Sequence, residues 1–252
     1  MFKRDIFGHY IFIKRFLISA IGLFTYNRLK VYNTIKIKGT EHLQNLPSTN
    51  VLFVSNHQTY FADVIAILHV FCSIKNGHKN SLPNISYLFN PATNVYFVAA
   101  QETMKEGFLP KVFAYAGSVS IKRTWREGGK DINRKVDFKD LTKIENALKS
   151  GWLINFPQGT TKAYAPGRKG TVHIIKQQNP IIVPIVINGF RRAFDKKGLR
   201  LKKTGVKLNI TFKAPLNLDL SKSSDEILNS VMDSIEQSEK FAKPTTVVEK
   251  LF

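Results

Sequence analysis

Residues 51–63 read VLFVSNHQTYFAD, an apolar run followed at once by a polar segment that contains a histidine and, six positions later, an aspartate. The apolar run predicts a strand. His57 therefore lies where that strand ends, and Asp63 lies where a helix should begin. A second apolar run, Trp152–Asn155, ends in the same way at residues 156–160, which read FPQGT. Two strand ends thus carry polar segments of similar kind.

Strand patterns alternate with helical patterns along most of the chain. The predicted strands are residues 34–39, 51–55, 95–100, 118–122, 152–156, 181–187 and 207–212. The clearest helices are residues 137–150 and the segment after Ser223, which can form a capping box with Glu226. This alternation predicts an α/β fold with a mixed, largely parallel sheet flanked by helices. In such folds the catalytic loops lie at the C-terminal ends of strands, where His57 and Gln158 are expected.

The composition is strongly basic, and the length allows one sizeable domain or two small ones. The chain has 252 residues, a formal net charge of +20 and one cysteine, which excludes a disulfide framework and favours a reducing compartment. Between residues 146 and 218, fourteen lysines and arginines stand against one acid, Asp195. Such a surface attracts nucleic acid, anionic lipid or phosphorylated substrates alike. We interpret the basic residues between Arg191 and Lys203 as a solvated face toward anionic lipid, separate from the site.

Residues 1–30 are predicted to form an amphipathic helix at the membrane interface, followed by one domain at 31–252. Residues 16–27 carry no charge, and Lys14 and Arg15 interrupt an otherwise apolar and aromatic stretch. Twelve uncharged residues are too few to span a bilayer, which takes about 20. The pattern fits a helix with its basic residues among lipid headgroups. The alternative is a helix packed on the protein's own core.

His57 and Asp63 are the candidate catalytic pair. An imidazole within hydrogen-bond reach can take the proton of a hydroxyl as that oxygen attacks a thioester. A carboxylate on the other ring nitrogen fixes the tautomer and stabilises the imidazolium. The chain has no G-x-S-x-G segment, which argues against a serine hydrolase, and its other histidines show no metal-ligand spacing. A histidine near an aspartate also arises by chance, so a surface histidine without a role is the alternative.

Four blocks, in order, resemble the glycerolipid acyltransferases, the family that includes lysophosphatidic acid acyltransferase. They read NHQTYFAD from Asn56, GSVSIKR from Gly117, FPQGT from Phe156 and IVPIV from Ile182. The resemblance extends over about residues 35–215. Each block alone is a weak signal, but four in order with sensible spacing are hard to produce by chance.

The resemblance implies a reaction and a set of roles. His57 would be the general base and Asp63 its orienting partner. Residues implied to bind the substrate are Lys122, Arg123, Gln158, Gly159 and Thr160; the first two would hold the acceptor's phosphate and the other three would shape its pocket. An acyl chain would move from acyl-CoA or acyl carrier protein, as co-substrate, directly to the free hydroxyl of a lysophospholipid, with no cofactor and no metal.

The resemblance also sets the expected substrates, partners and location. The first choice of acceptor is 1-acylglycerol 3-phosphate, and the partners are the donor thioester, the lysophospholipid and an anionic membrane surface, without nucleic acid. We expect a peripheral or monotopic protein on the cytoplasmic face of the cell membrane. One alternative is O-acylation of a lyso-aminolipid or another hydroxylated lipid. An alternative from another class is a basic membrane- or nucleic-acid-binding protein on an inactive acyltransferase fold.

Two departures from the family's pattern affect the site. Five residues, not four, separate His57 from Asp63. One extra residue turns a helical side chain by about 100°, so Asp63 reaches His57 only if the loop bulges before the helix begins. Gln158 stands where the family has glutamate, which keeps size and hydrogen bonding but removes a negative charge. This change favours an anionic acceptor and leaves an altered acceptor open.

Overall fold

A computed structural model describes residues 2–104, 108–124, 126–127, 130–132 and 137–242. Within them the strands are β1 (Thr34–Lys38), β2 (Val51–Ser55), β3 (Val95–Ala100), β4 (Ser118–Ile121), β5 (Arg126–Glu127), β6 (Lys130–Asp131), β7 (Trp152–Asn155), β8 (Ile181–Asn188) and β9 (Lys207–Phe212). The α-helices are α1 (Ile11–Lys30), α2 (Ala62–Lys75), α3 (Gln101–Met104), α4 (Phe108–Ala116), α5 (Phe138–Ser150), α6 (Lys169–Gln178), α7 (Phe190–Ala193) and α8 (Ser224–Ser234). Short 3-10 helices lie at Thr40–Leu43, Ile85–Phe89 and Glu239–Phe241.

The main sheet has seven strands in the order β1-β9-β8-β2-β7-β3-β4. All neighbouring strands are parallel except β8 and β9, which are antiparallel. The C-terminal ends of β2, β4, β7 and β8 therefore lie at the same edge of the sheet, and each of these strands contains or leads into one of the four sequence blocks. The predicted mixed, largely parallel α/β fold is confirmed.

Strand β2 lies in the middle of the sheet and is buried along its whole length. Successive side chains of a strand point to opposite faces. Val51 and Phe53 accordingly pack in one hydrophobic core, and Leu52 and Val54 pack in a second. Both faces of the sheet are thus covered, which explains why this strand is apolar without alternation.

The predicted helix starts appear as expected. The Asp137 side chain caps α5 by accepting a hydrogen bond from the Lys139 N–H at 3.0 Å. Ser223 and Glu226 form the capping box that begins α8. These local signals depend on residues three or fewer positions apart, so they can be identified from sequence.

Helix α1 packs against the domain and keeps an apolar outer face. Lys14 is buried, with its Nζ 3.3 Å from Asp5 Oδ2 and 4.2 Å from the centre of the Tyr96 ring. The prediction that Lys14 lies among lipid headgroups is therefore wrong, because the chain before the helix folds back and brings Asp5 to it. Burial lowers the pKa of Lys14. The large hydrophobic side chains exposed on α1 are Phe12, Phe16, Leu23 and Phe24.

A buried histidine links α1 to the helix behind the sheet. His69, within α2, contacts the Thr25 hydroxyl through Nε2 at 2.9 Å and the Tyr87 hydroxyl through Nδ1 at 2.7 Å. Thr25 belongs to α1 and Tyr87 to the 3-10 helix Ile85–Phe89. Three elements are therefore joined through one imidazole.

Within the described residues, no helix is long and apolar enough to cross a membrane.

Candidate active site

The loop after β2 brings His57 and Asp63 into direct contact. His57 Nδ1 lies 2.9 Å from Asp63 Oδ2. Helix α2 does not begin until Ala62, so Asp63 stands in its first turn and the residues before it form a bulge. The bulge takes up the extra residue between the histidine and the aspartate, as the contact between their side chains requires.

The residues of the bulge also form hydrogen bonds with the Asp63 carboxylate. The Asp63 side chain is fully buried and accepts hydrogen bonds from the backbone N–H groups of Gln58 and Thr59. The Thr59 hydroxyl donates to the other carboxylate oxygen at 2.8 Å. Because a carboxylate only accepts hydrogen bonds, His57 Nδ1 carries the proton that it donates to Asp63. Nε2 is then the ring nitrogen left to take a proton from a substrate.

The segment after β8 forms backbone hydrogen bonds with the bulge. The N–H groups of Tyr60 and Phe61 donate to the carbonyl oxygens of Lys196 and Lys197 at 3.1 and 2.9 Å. Gly198 has a φ of +79°, and a Cβ on it would stand 2.5 Å from the Ala62 nitrogen. Only glycine allows this approach, so the turn and the bulge fit each other through a residue without a side chain.

His57 is held by contacts from two further strands. Its ring stacks on Phe156, which follows β7, with centroids 3.9 Å apart and planes at 21°. Asn56 forms two hydrogen bonds with the Ile187 backbone of β8, at 2.8 and 2.9 Å. The His57 side chain remains 14% exposed. The sequence analysis assigned no role to Asn56 or Phe156, although both follow a strand directly and stand one or two positions before a candidate site residue.

The His57 ring lies on the wall of a cavity of about 400 Å³, which we call the apolar cavity. Most of its other walls are aliphatic or aromatic: Phe97, Val98, Met104, Ile121, Leu141, Ile144, Phe156 and Ile174. These side chains come from β3 and β4, from the segment after β7, and from α3, α5 and α6. The cavity can hold a hydrocarbon chain next to an imidazole.

Lys122 and Arg123 lie on the wall of the apolar cavity at the end of β4. Lys122 Nζ is 3.4 Å from Asp137 Oδ2, and Arg123 Nη1 is 3.7 Å from Glu102 Oε2. Both cations thus reach the site predicted for them, each with a carboxylate beside it. An anionic substrate group would have to compete with these two carboxylates.

A second cavity, of about 750 Å³, lies beside the first. We call this second cavity the basic cavity. The residues that line both cavities are Tyr60, Arg123, Gly159, Thr160, Thr161 and Arg168. The cations that line it are Arg123, Lys162, Arg168, Arg191, Lys196 and Lys202. The interpretation of Arg191–Lys203 as a face separate from the site is therefore wrong for three of its members. Strand β8 ends at the edge of the sheet where the four sequence blocks lie, and the segment after β8 crosses that edge. The spacing of residues in the sequence does not show this path.

Gln158 lies behind the cavity walls and lines neither cavity. Its buried amide nitrogen donates to the carbonyl oxygens of Ala165 at 3.0 Å and Lys162 at 3.4 Å, and to Gln237 Oε1 at 3.3 Å. Among the described residues, Gln158 Oε1 has no hydrogen-bond partner. Gly159 and Thr160 do line both cavities. The glutamine side chain therefore holds the loop that carries them, from behind the cavity walls.

In the part of the chain that the structure describes, no group of three or more His, Cys, Asp or Glu side chains is arranged to hold a metal ion.

Residues 34–188 match the Acyltransferase family, and these residues include all four sequence blocks. The match covers more than half of the chain, so the chain belongs to the acyltransferase family and is an acyltransferase enzyme. The solved structure of the 1-acyl-sn-glycerophosphate (LPA) acyltransferase PlsC from Thermotoga maritima is similar to it, with a TM-score of 0.56 and 17% sequence identity. The similarity covers 89% of this chain and 79% of that one and confirms the fold. No protein of curated function matches the chain in sequence.

Proposed function

We propose that the protein transfers a fatty acyl chain from a thioester donor to the free hydroxyl of a lysophospholipid, with 1-acylglycerol 3-phosphate as the preferred acceptor. The observation that carries this proposal is the position of the His57–Asp63 pair. Its imidazole opens onto a cavity with hydrocarbon walls that also bears Lys122 and Arg123. Base, chain-binding walls and anion-binding side chains are the three things that this reaction requires. The named activity of the similar Thermotoga maritima enzyme supports the same acceptor.

The reaction would proceed by direct transfer. His57 Nε2 takes the proton from the acceptor hydroxyl while that oxygen bonds to the thioester carbonyl carbon. Asp63 stabilises the imidazolium that results. The tetrahedral intermediate then breaks its carbon–sulfur bond, and the imidazolium returns the proton to the departing sulfur. No covalent enzyme intermediate and no cofactor is needed.

Arg123, with Lys122, would hold the acceptor's phosphate. Arg123 lines both cavities and can offer a guanidinium to two phosphate oxygens at once. In doing so it would exchange the carboxylate of Glu102, 3.7 Å away, for a more highly charged partner. Gly159 and Thr160 would form the wall against the glycerol. The alternative acceptor, a lyso-aminolipid, gains no support from Gln158, because that side chain contacts neither cavity.

The protein would lie on the cytoplasmic face of a membrane, to which α1 would bind. Phe12, Phe16 and Leu23 lie within about 40° of one another around the helix axis, and all are exposed along with Phe24. Exposed apolar side chains grouped on one side of a helix are costly in water and favourable at the level of lipid headgroups. Arg15 and Lys30 are exposed on the same helix and would face anionic lipid.

The test combines a substrate panel with one variant of the pair. Purified protein is incubated with acyl-CoA or acyl carrier protein and with lysophosphatidic acid, a lyso-aminolipid and other lysolipids, and products are identified by mass spectrometry. We expect phosphatidic acid as the main product. Asp63→Asn should lower kcat at least about tenfold, because the imidazolium loses its counter-charge. The exposed Asp219→Asn is the control. Full activity of Asp63→Asn would overturn the assigned mechanism, and a preference for a phosphate-free acceptor would overturn the assigned substrate.

A further inference from the structure

The basic cavity has more positive charge than the acceptor's single phosphate requires. Six cations line it, and Asp195 is the acid among its lining residues. The Asp195 carboxylate already accepts hydrogen bonds from the N–H groups of Leu199 and Arg200, at 2.8 and 3.1 Å. Among the described residues, no carboxylate lies within ion-pair distance of Lys162, Arg191, Lys196 or Lys202. Among the described residues, no carboxylate therefore competes with an anionic ligand for these four cations.

The size of the basic cavity indicates a ligand much larger than one phosphate group. Its volume of about 750 Å³ lies within the range of roughly 300–1,000 Å³ typical of sites for whole small molecules. Two tyrosines, Tyr60 and Tyr164, are among its lining residues. Aromatic faces stack on nucleobases, and lysines and arginines bind phosphates. A cavity with both kinds of side chain fits a ligand that has several phosphates and a base.

The segment after β8 belongs to this cavity and also to the active site. The Arg191 guanidinium donates to the Thr161 carbonyl oxygen, and the Arg191 N–H donates to Gln58 Oε1 at 3.2 Å. Lys202 Nζ donates to the Arg191 carbonyl oxygen at 3.1 Å. The cations after β8 are thus held next to the loops of the first and third blocks.

We propose that the basic cavity binds the phosphorylated nucleotide of a coenzyme A thioester, and that the protein's donor is therefore acyl-CoA. This inference rests on the proposed acyl transfer and adds the identity of the donor. Coenzyme A has a diphosphate, a 3′-phosphate and an adenine ring, whereas an acyl carrier protein presents one phosphate on its pantetheine arm. The pantetheine arm would pass the shared wall of Arg123 and Thr160 and bring the thioester to His57.

The first experiment compares donors with and without the nucleotide. With the full-length protein and a fixed acceptor, KM is measured for acyl-CoA and for acyl-phosphopantetheine. We expect KM for acyl-CoA to be at least about tenfold lower, since charge-assisted contacts to phosphate are strong. In Lys162→Ala/Lys202→Ala this preference should largely disappear. Lys203→Ala, one position from Lys202 but outside the cavity, is the control and should keep the preference.

The outcomes separate this inference from the proposed function. If the double variant keeps the full preference for acyl-CoA, or if its KM rises for lysophosphatidic acid instead, the cavity does not hold the donor's nucleotide and the inference is overturned. If no lysolipid is acylated, the proposed function fails, and calorimetry with free coenzyme A and its 3′-dephospho form still tests the cavity. Tighter binding of coenzyme A by the wild type than by the double variant supports the inference, and equal binding overturns it.

Discussion

Two histidines of the same strand–helix unit have opposite surroundings. His57 lies before α2, with Nδ1 on a buried carboxylate and its ring on the wall of the apolar cavity. His69 lies within α2, buried, and both of its ring nitrogens contact hydroxyl groups, those of Thr25 and Tyr87. Burial lowers the pKa of His69 to about 3, so its imidazole stays neutral at physiological pH.

The comparison shows what makes a histidine a base and what makes it a structural link. A carboxylate on one ring nitrogen stabilises the protonated ring, and an open second nitrogen can receive the proton. Two neutral hydroxyl partners in a desolvated position do the reverse, because the charged ring would be buried without a counter-charge. We therefore expect His57 to affect catalysis and His69 to affect stability.

The largest effect is expected from His57→Ala. It should lower kcat by a factor of at least about 10², the usual contribution of a general base. The free energy of unfolding should change little, because the ring lies on a cavity wall and is partly exposed. Steady-state kinetics and urea unfolding measure the two effects, with the exposed His173→Ala as the control.

His69→Gln, measured beside it, sharpens the comparison. It should leave kcat of the folded protein within about twofold and lower its stability, since the new side chain replaces the two hydrogen bonds imperfectly. If His69→Gln lowered kcat as strongly as His57→Ala while the protein remained folded, the division of roles would be wrong.

A substitution of Gln158 tests whether a residue of one of the four sequence blocks affects stability, as His69 does, and not catalysis. Gln158→Glu would turn a carboxylate oxygen toward the Ala165 and Lys162 carbonyl oxygens and toward Gln237 Oε1, where an amide now donates. We expect the free energy of unfolding to fall by about 1–3 kcal/mol, the cost of buried groups left without a partner. Urea unfolding measures it, and the exposed Gln177→Glu makes the same change of charge as a control. An unchanged stability together with a higher KM for the acceptor would place Gln158 in the pocket instead.

The parts of this fold that could be predicted from the sequence are those set by neighbouring residues. The strands at 51–55, 95–100 and 207–212 were predicted to the residue, and the capping box at Ser223 was as well. The sequence predicted that His57 and Asp63 come into contact only if the loop between them bulges. What the sequence could not show were contacts between distant segments, such as Asp5 on Lys14 and Lys196 on the bulge. These depend on where the chain returns across the sheet.

The titration of His69 gives a pH dependence of stability with a definite sign. Its folded pKa of about 3 lies below the ordinary value of 6.5. As pH falls below about 6.5 the unfolded chain takes up a proton that the folded protein does not, so stability falls by up to about 1.4 kcal/mol per pH unit from this group. His69→Gln should reduce that slope between pH 6 and pH 4, and the exposed His42→Gln should reduce it less. Equal slopes in the wild type and His69→Gln would mean that His69 is protonated within the fold.

The smallest effect concerns the helix that His69 holds in place. Thr25 on the inner side of α1 binds His69, whereas Phe24, 81% exposed, points away from the domain. If the outer face of α1 lies in the membrane interface, Phe24→Ser should weaken binding to anionic vesicles by roughly three- to tenfold, about 1 kcal/mol for a ring that is partly removed from water. Stability in solution should change little, because most of the ring is already in contact with water. Vesicle sedimentation at low and high salt measures the binding, with Phe138→Ser, an exposed ring at the start of α5, as the matched control. Equal losses in the two variants would mean that α1 has no special contact with lipid, and that His69 holds a helix whose outer face is merely solvated.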